Sequence, residues 1–332
     1  MSVFPKLQTA GERMGSALSH FCRFVGRFTG SRRDQTVDDA VPVDPSIPFK
    51  PQASPVAGGV SIPNYELIRP IGHGAYGEVW LARGEIGVHH AVKVIHKRTF
   101  SDRSPFEREY RGILQYTPIS RTHHGLVPIL HVGRNHAAGF FYYVMELADC
   151  IHSGRNIVAA SYTARTLAHE LDTRSRLPAR ECLHLGIELC EALRYLHSKQ
   201  LIHRDIKPAN IIFVNGVAKL ADVGLVTHLA EARRDPKQLG TEGFTPPEGP
   251  GTLWADVYSL GKVLCEASLG PVALQGVPVS LEGIDEQERE SLALVTEIFF
   301  KACHDELNNR YQAIAEMQDA LLKLQDQFEE NA

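Results

Sequence analysis

"LIHRDIKPANIIF", residues 201–213, sets an arginine beside an aspartate, a lysine two residues on and an asparagine three after that. A helix would spread these side chains around its circumference, and a strand would send them to alternate faces. Pro208 opposes both. The stretch reads as a loop whose polar residues converge on one object. It runs on into Ile211–Val214 and Val217–Ala221, two short β-rich runs separated by Asn215-Gly216. That pair is a strong hairpin signal, because a type I′ turn needs positive φ at both central positions. A hairpin returns the chain to where it began, so Asp222 lands beside Asn210. A carboxylate and an amide oxygen so placed suit a hard cation such as Mg²⁺, completed by phosphate and water. Asp205 and Lys207 sit on the loop that feeds the hairpin.

Upstream, "IGHGAYGEVW" (71–80) places Gly72, Gly74 and Gly77 after a strand. Glycines there let backbone N–H groups approach phosphate, or they simply make a turn. A dinucleotide-binding unit would continue into a helix; Glu78-Val79-Trp80-Leu81 reads as another strand. Lys93 lies within the strand "HAVKVI" (90–95), with Val92 and Val94 facing the other way. Taken alone it is a solvated strand lysine. A helix near 105–116 offers two carboxylates. Ser104 and Pro105 look like its N-cap and first residue, which puts Glu107 in a capping box. Glu109 shares the inward face with Phe106, Tyr110 and Ile113. A carboxylate buried there needs a partner, and Lys93 is the expected one.

The wider chain frames these segments. Strands are expected at 65–71, 78–82, 90–95, 126–132 and 140–147. After about 150 the chain turns helical, with helices expected at 178–198, 254–267 and 310–328; residues 149–163 read as an insertion loop. The 332 residues carry a net charge of −4, which gives no global case for nucleic acid. No apolar run of about 18 residues exists, so no transmembrane helix is expected, and no secretory signal is seen. The six cysteines contain no CxxC and read as reduced thiols of a cytoplasmic protein. His89-His90 and His123-His124 lack the spacing of a zinc site. Residues 1–33 form a basic segment in which Met14, Leu18, Phe21, Val25 and Phe28 recur at helical spacing. Residues 12–28 would dock on the protein, or touch a membrane surface or a partner. Residues 34–62, rich in Pro, Asp and Gly, read as a linker.

Taken together, the glycine loop, Lys93, the "HRDIKPAN" loop and Asp222-Val223-Gly224 resemble the eukaryotic-type Ser/Thr protein kinases. The similarity covers about 65–325, in the expected order. It implies an α+β, bilobal protein-kinase-like fold, with a five-stranded antiparallel N-lobe sheet and one helix (63–148) and a mainly helical C-lobe (149–328). ATP would lie in the cleft, lined by Ile71, Gly72, Gly74, Gly77, Val79, Ala91, Lys93, Ile212 and the hinge residues Met145, Glu146 and Ala148. Glu109 would hold Lys93 against the phosphates. Asp205 would orient the attacking hydroxyl and Lys207 would neutralise phosphoryl charge. Asn210 and Asp222 would bind Mg²⁺, or Mn²⁺ instead. The substrates would be proteins bearing Ser or Thr. Glu248, in "GTEGFTPPEG" (240–249), would pair with Arg310, and Asp256 would brace the catalytic loop. Two alternatives stay open: a binding scaffold without turnover, and a small-molecule phosphotransferase.

Two departures stand out. Val223 replaces the usual Phe of the metal motif. Arg204 has the position that in the family often binds a phosphorylated loop residue, yet His228–Gly240 contains no Ser, Thr or Tyr. Either Glu231 or Asp235 is expected to serve as a permanent anionic partner for Arg204, or the loop needs none; activity would then not require mid-loop phosphate, and Thr241 is expected to support the catalytic loop.

Overall fold

Alternating apolar residues in the first third of the chain build one curved sheet. The computed structural model describes residues 60–74, 77–100, 103–232, 240–271 and 283–330. Strands β1 (Tyr65–Gly74), β2 (Gly77–Gly84), β3 (His89–His96), β4 (Ile129–Asn135) and β5 (Phe140–Met145) pair antiparallel in the order β1-β2-β3-β5-β4. The period of two along β3 decides what each face carries. Val92 and Val94 pack outward with Trp80, Phe140, Tyr142 and Val144. Ile95 turns to the other face, against Phe106, Ile113 and Tyr116 of helix α1 (Arg103–Ser120) and Phe141 and Tyr143 of β5. Lys93 shares that inner face and is 5% exposed, so it is not the solvated strand lysine it would be in isolation.

The rest is mainly helical: α2 (Leu167–Arg174), α3 (Ala179–Ser198), α4 (Leu229–Ala232), α5 (Leu253–Leu269), α6 (Glu286–Ala302) and α7 (Ile314–Glu330). Along α3, Leu183, Cys190, Leu193 and Leu196 form the buried stripe. Nearly every residue of α5 is buried, as its all-round apolarity demands. Gly261 lets α5 meet α6: a Cβ there would come within 2.8 Å of the Ala302 Cβ. Short strands β6 (Leu201–Ile202), β7 (Ile211–Val214), β8 (Val217–Leu220) and β9 (Thr227–His228) carry the loops on the cleft side, with β7 and β8 as the expected hairpin. Asn215 and Gly216 have φ of 55° and 78°.

Three expectations shift. Strand β4 begins at Ile129 rather than 126, because Leu126 and Val127 are drawn to the hairpin, where the Val127 N–H donates to the Leu220 carbonyl at 3.1 Å. Helix α1 begins at Arg103, so Pro105 is its third residue and not its first. Glu107 instead pairs with Arg134 of β4, accepting from Nη1 at 2.8 Å. The last helix begins at Ile314 and leaves Arg310 in the preceding loop. Residues 12–28 lie outside the described residues. No helix among the described residues is long and apolar enough to cross a membrane.

Candidate functional site

The hairpin dictates the site. Where β8 ends, the Ala221 N–H donates to the Asn210 carbonyl at 2.8 Å, so the chain re-enters the loop it left. Asp222 follows in a left-handed conformation, φ 51°. A cavity of about 530 Å³ opens between the sheet and the helical half. It is lined by Ile71, Gly72, Val79, Ala91 and Lys93 from the sheet, by Met145, Glu146 and Ala148 from the connecting segment, and by Asp205, Lys207, Asn210, Ile212 and Asp222 from below. These are residues that the family resemblance assigns to the nucleotide cleft and its catalytic loop.

Four side chains below the cavity form a closed network. The Thr241 hydroxyl donates to Asp205 Oδ1 at 2.7 Å and accepts from Lys207 Nζ at 2.8 Å. Lys207 Nζ also lies 3.0 Å from Asp205 Oδ2. The Asn210 amide nitrogen donates to the Asp205 carbonyl and to Asp205 Oδ2, both at 2.8 Å. With its nitrogen committed in this way, Asn210 has its amide oxygen left to offer a ligand. Behind the loop lies Asp256, buried at the start of α5. Its Oδ2 accepts from the His203 N–H at 2.8 Å and from His197 Nε2 at 2.9 Å, and its Oδ1 accepts from the Arg204 N–H at 2.9 Å. Burial opposes ionisation of Asp256, but the His197 hydrogen bond and charge outweigh it and hold its pKa below the usual carboxylate range. Arg204 sits in the left-handed region, φ 72°, so the loop conformation that presents Asp205 is strained and held from behind.

Above, the ammonium of Lys93 bonds Asp222 Oδ1. The expected Lys93–Glu109 contact is not the one formed. Glu109 is buried against Gly224, where an added Cβ would come within 2.8 Å of its Oε1, and that oxygen has no hydrogen-bond partner. Helical spacing chose the correct face for Glu109, while the left-handed turn at Asp222 delivers the nearer carboxylate. Burial raises the Glu109 pKa to about 7, against a partial lowering by Lys93. For Lys93, burial opposes the charge, but Asp222, with lesser help from Tyr143 and Glu109, drives its pKa above the ordinary lysine range. For Asp222 too, burial opposes ionisation and Lys93 overrides it, so the pKa lies below the usual range.

The remaining assignments divide. Gly77 is tied to strand packing: a Cβ there would run into the Val94 carbonyl oxygen. Gly74 ends β1, and Arg204 does not line the cavity. Asp235 and the side chain of Glu231 lie outside the described residues. Arg310 closes a bidentate pair with Glu248, at 2.6 and 3.0 Å. Several lining residues were not anticipated, among them Tyr143, Ala164 and Tyr162, the last from the 149–163 stretch that carries no periodic signal.

Comparisons with known proteins agree with this geometry. The family model described as "Protein kinase domain" matches residues 65–327. The chain is 29% identical over 282 residues to the serine/threonine-protein kinase PknB of Mycobacterium leprae, covering 78% of this chain and 43% of that one. It is 31% identical over 216 residues to the DNA damage-responsive serine/threonine-protein kinase RqkA of Deinococcus radiodurans, covering 62% and 30%. It is 27% identical over 219 residues to the serine/threonine-protein kinase PrkC of Bacillus subtilis, covering 64% and 31%. The chain thus spans less than half the length of each of these relatives. Among solved structures, the kinase domain of PknI from Mycobacterium tuberculosis superposes with a TM-score of 0.56 at 22% identity, over 81% of this chain and 99% of that one, a likeness of fold. With the family model matched over most of its length and a cleft built in the same order, the chain belongs to the protein kinase domain family.

Proposed function

We propose that this protein transfers the γ-phosphoryl group of ATP to Ser or Thr hydroxyls of proteins, including its own. The observation that carries this reading is the Asp205–Thr241–Lys207 network facing Lys93 and Asp222 in one cavity. Asp205 Oδ1, already an acceptor for one hydroxyl, is placed to orient a substrate hydroxyl and take its proton. Lys207 beside it offers positive charge where negative charge develops on the transferring group. Lys93 supplies a permanent cation for the nucleotide phosphates, with Glu109 behind it. The cavity wall of Ile71, Val79, Ala91 and Ile212 suits a flat apolar base, and residues 145–148 offer backbone groups at its edge.

The donor set also fits a divalent cation. Asp222 is kept ionised and one-third exposed, and the amide oxygen is what Asn210 has left to give. These are hard oxygen ligands, as Mg²⁺ prefers and Mn²⁺ tolerates. When bound, such a cation supplies neutralisation of phosphate charge. The same reading places the protein in the cytoplasm, with residues 12–28 as its contact with a membrane surface or partner, and assigns it no nucleic-acid partner.

The test is purified protein with MgATP and a generic basic acceptor, followed by radiolabel transfer and phosphosite mapping. Label on Ser and Thr with wild type, and none with Asp205→Asn, is expected. Equal labelling by both proteins would sink the assignment. Phosphosite mapping of the active protein also tests the idea that mid-loop phosphate is not needed; activity that depends on phosphate at Thr227, Thr241 or Thr245 would refute it.

A further inference from the structure

The segment Cys150–Ala164 plays no part in the proposed chemistry, yet it is firmly built. Its base is fastened to β7: the Asp149 N–H donates to the Phe213 carbonyl at 2.8 Å, the Arg165 N–H to Asp149 at 2.8 Å, and the Phe213 N–H to Arg165 at 3.0 Å. Within it, Cys150 and Gly154 exchange backbone hydrogen bonds of 2.7 and 2.8 Å, and the Ile151 N–H donates to the Thr163 carbonyl at 3.0 Å. The flap therefore belongs to the helical half of the molecule. Its outer contacts belong to the other half. Arg69 of β1 donates from Nε to the Ala159 carbonyl at 2.9 Å and from Nη2 to the Tyr162 carbonyl. The pairing of β1 with β2 slips on either side, between Leu67 and Arg69 and again between Pro70 and Gly72. Such bulges re-aim side chains, and here they turn Arg69 out of the sheet toward the flap. Tyr162 is 2% exposed, packs with Leu81 and Cys150, lines the cavity, and donates its hydroxyl to the Ala148 carbonyl at 3.1 Å.

We propose that Arg69 and this flap form a strap across the hinge end of the cleft that retains bound nucleotide. Arg69 is a positioning residue, and Tyr162 transmits its hold to residue 148. The inference rests on the reading above that the cavity takes a nucleotide. Swinging β1 away from the helical half, as release of a ligand beneath Ile71 and Gly72 requires, must break both guanidinium bonds at once. Charge-assisted bonds of this kind make the open state rarer by about tenfold or more. Release is then slowed while the phosphoryl-transfer network is untouched.

The experiment is stopped-flow displacement of mant-ADP, with MgCl₂ present, from the full chain. Arg69→Ala is expected to raise the dissociation rate about tenfold. Arg69→Lys, which keeps the charge but not the fork, falls between it and wild type. Tyr162→Phe, which keeps the packing, also speeds release. Arg83→Ala is the control: Arg83 pairs with Glu66 on the same two strands and does not reach the flap, so its rate stays at the wild-type value. In steady state, Arg69→Ala raises KM for ATP and leaves KM for the acceptor peptide unchanged. A dissociation rate for Arg69→Ala within twofold of wild type overturns the strap, as does a parallel rise in both KM values. If wild type takes up no mant-ADP, the kinase reading itself falls.

Discussion

Replacing Asp256 by Asn tests how the catalytic loop is held in place. The side chain is 1% exposed and its two oxygens receive three hydrogen bonds, two of them from the backbone N–H groups of His203 and Arg204 on different oxygens. An amide of the same shape has one acceptor oxygen where the carboxylate has two. However it turns, its NH₂ faces one buried backbone N–H. A buried donor left without a partner costs about 1–3 kcal/mol, and the surviving bonds lose charge assistance, for a total of about 2–4 kcal/mol. Urea unfolding should show that loss. The strained Arg204, at φ 72°, would relax once its N–H is released and carry Asp205 with it. A displacement of about 1 Å at a reacting group costs about 100-fold in rate. The kcat for peptide phosphorylation should therefore fall by about that factor, with KM for ATP little changed. Because the Asp256 pKa lies below its ordinary value, its stabilisation is fully present above that value and is lost as pH falls through the folded pKa; the Asn variant lacks this acid limb. An Asn variant that unfolds within about 0.5 kcal/mol of wild type and turns over normally would refute the reasoning.

Thr241→Val removes the hydroxyl that joins Asp205 to Lys207 at 2.7 and 2.8 Å, and should lower kcat by about 10–100-fold, while Thr241→Ser retains most activity in the same peptide assay. Glu109 has its pKa raised from 4.5 to about 7, so between those values the folded chain holds a proton that the unfolded chain has released. Stability of the nucleotide-free protein should accordingly fall as pH rises across that window, by up to the order of 3 kcal/mol, and Glu109→Gln should flatten the slope in thermal unfolding at stepped pH. Arg310→Ala leaves Glu248 without its bidentate partner and should cost about 3 kcal/mol or more in urea unfolding, whereas Arg310→Met combined with Glu248→Leu should recover much of that loss.

What the sequence made legible was local. The Asn215-Gly216 turn fixes the β7–β8 hairpin, and the hairpin fixes the approach of Asp222 to Asn210, all within thirteen positions. The period of two along β3 put Lys93 on the face opposite Val92 and Val94 without telling that this face is buried, while the three- and four-residue spacing along α1 put Glu109 on the inward face. Spacing chooses a face but not a partner, which is why the Lys93 contact fell to Asp222. That outcome depends on a left-handed residue at the end of β8, a conformation that aspartate tolerates better than most residues but that no periodic pattern announces. The flap was illegible for the opposite reason. Its order comes from backbone carbonyls meeting an arginine about 90 positions earlier in the chain, a pairing that leaves no periodic trace. Ser104 and Pro105 resembled a helix start, but α1 begins two residues before Pro105, and Glu107 is drawn to Arg134.

Asp149 ends the connecting segment, and its two carboxylate oxygens accept the N–H groups of Asn215 and Gly216 at 3.0 and 2.9 Å. The turn that carries Asp222 toward Asn210 is thereby pinned to the residue that follows Ala148. The edge of the cavity that would read a base and the oxygens that would hold a cation thus move as one piece. A rocking of the two halves would leave their mutual spacing constant and shift Lys93 with the rest of the sheet's cavity face, Val79 and Ala91 included. The cleft works like a vise: one jaw is machined to the full length of its ligand, and the other sets only how hard it grips.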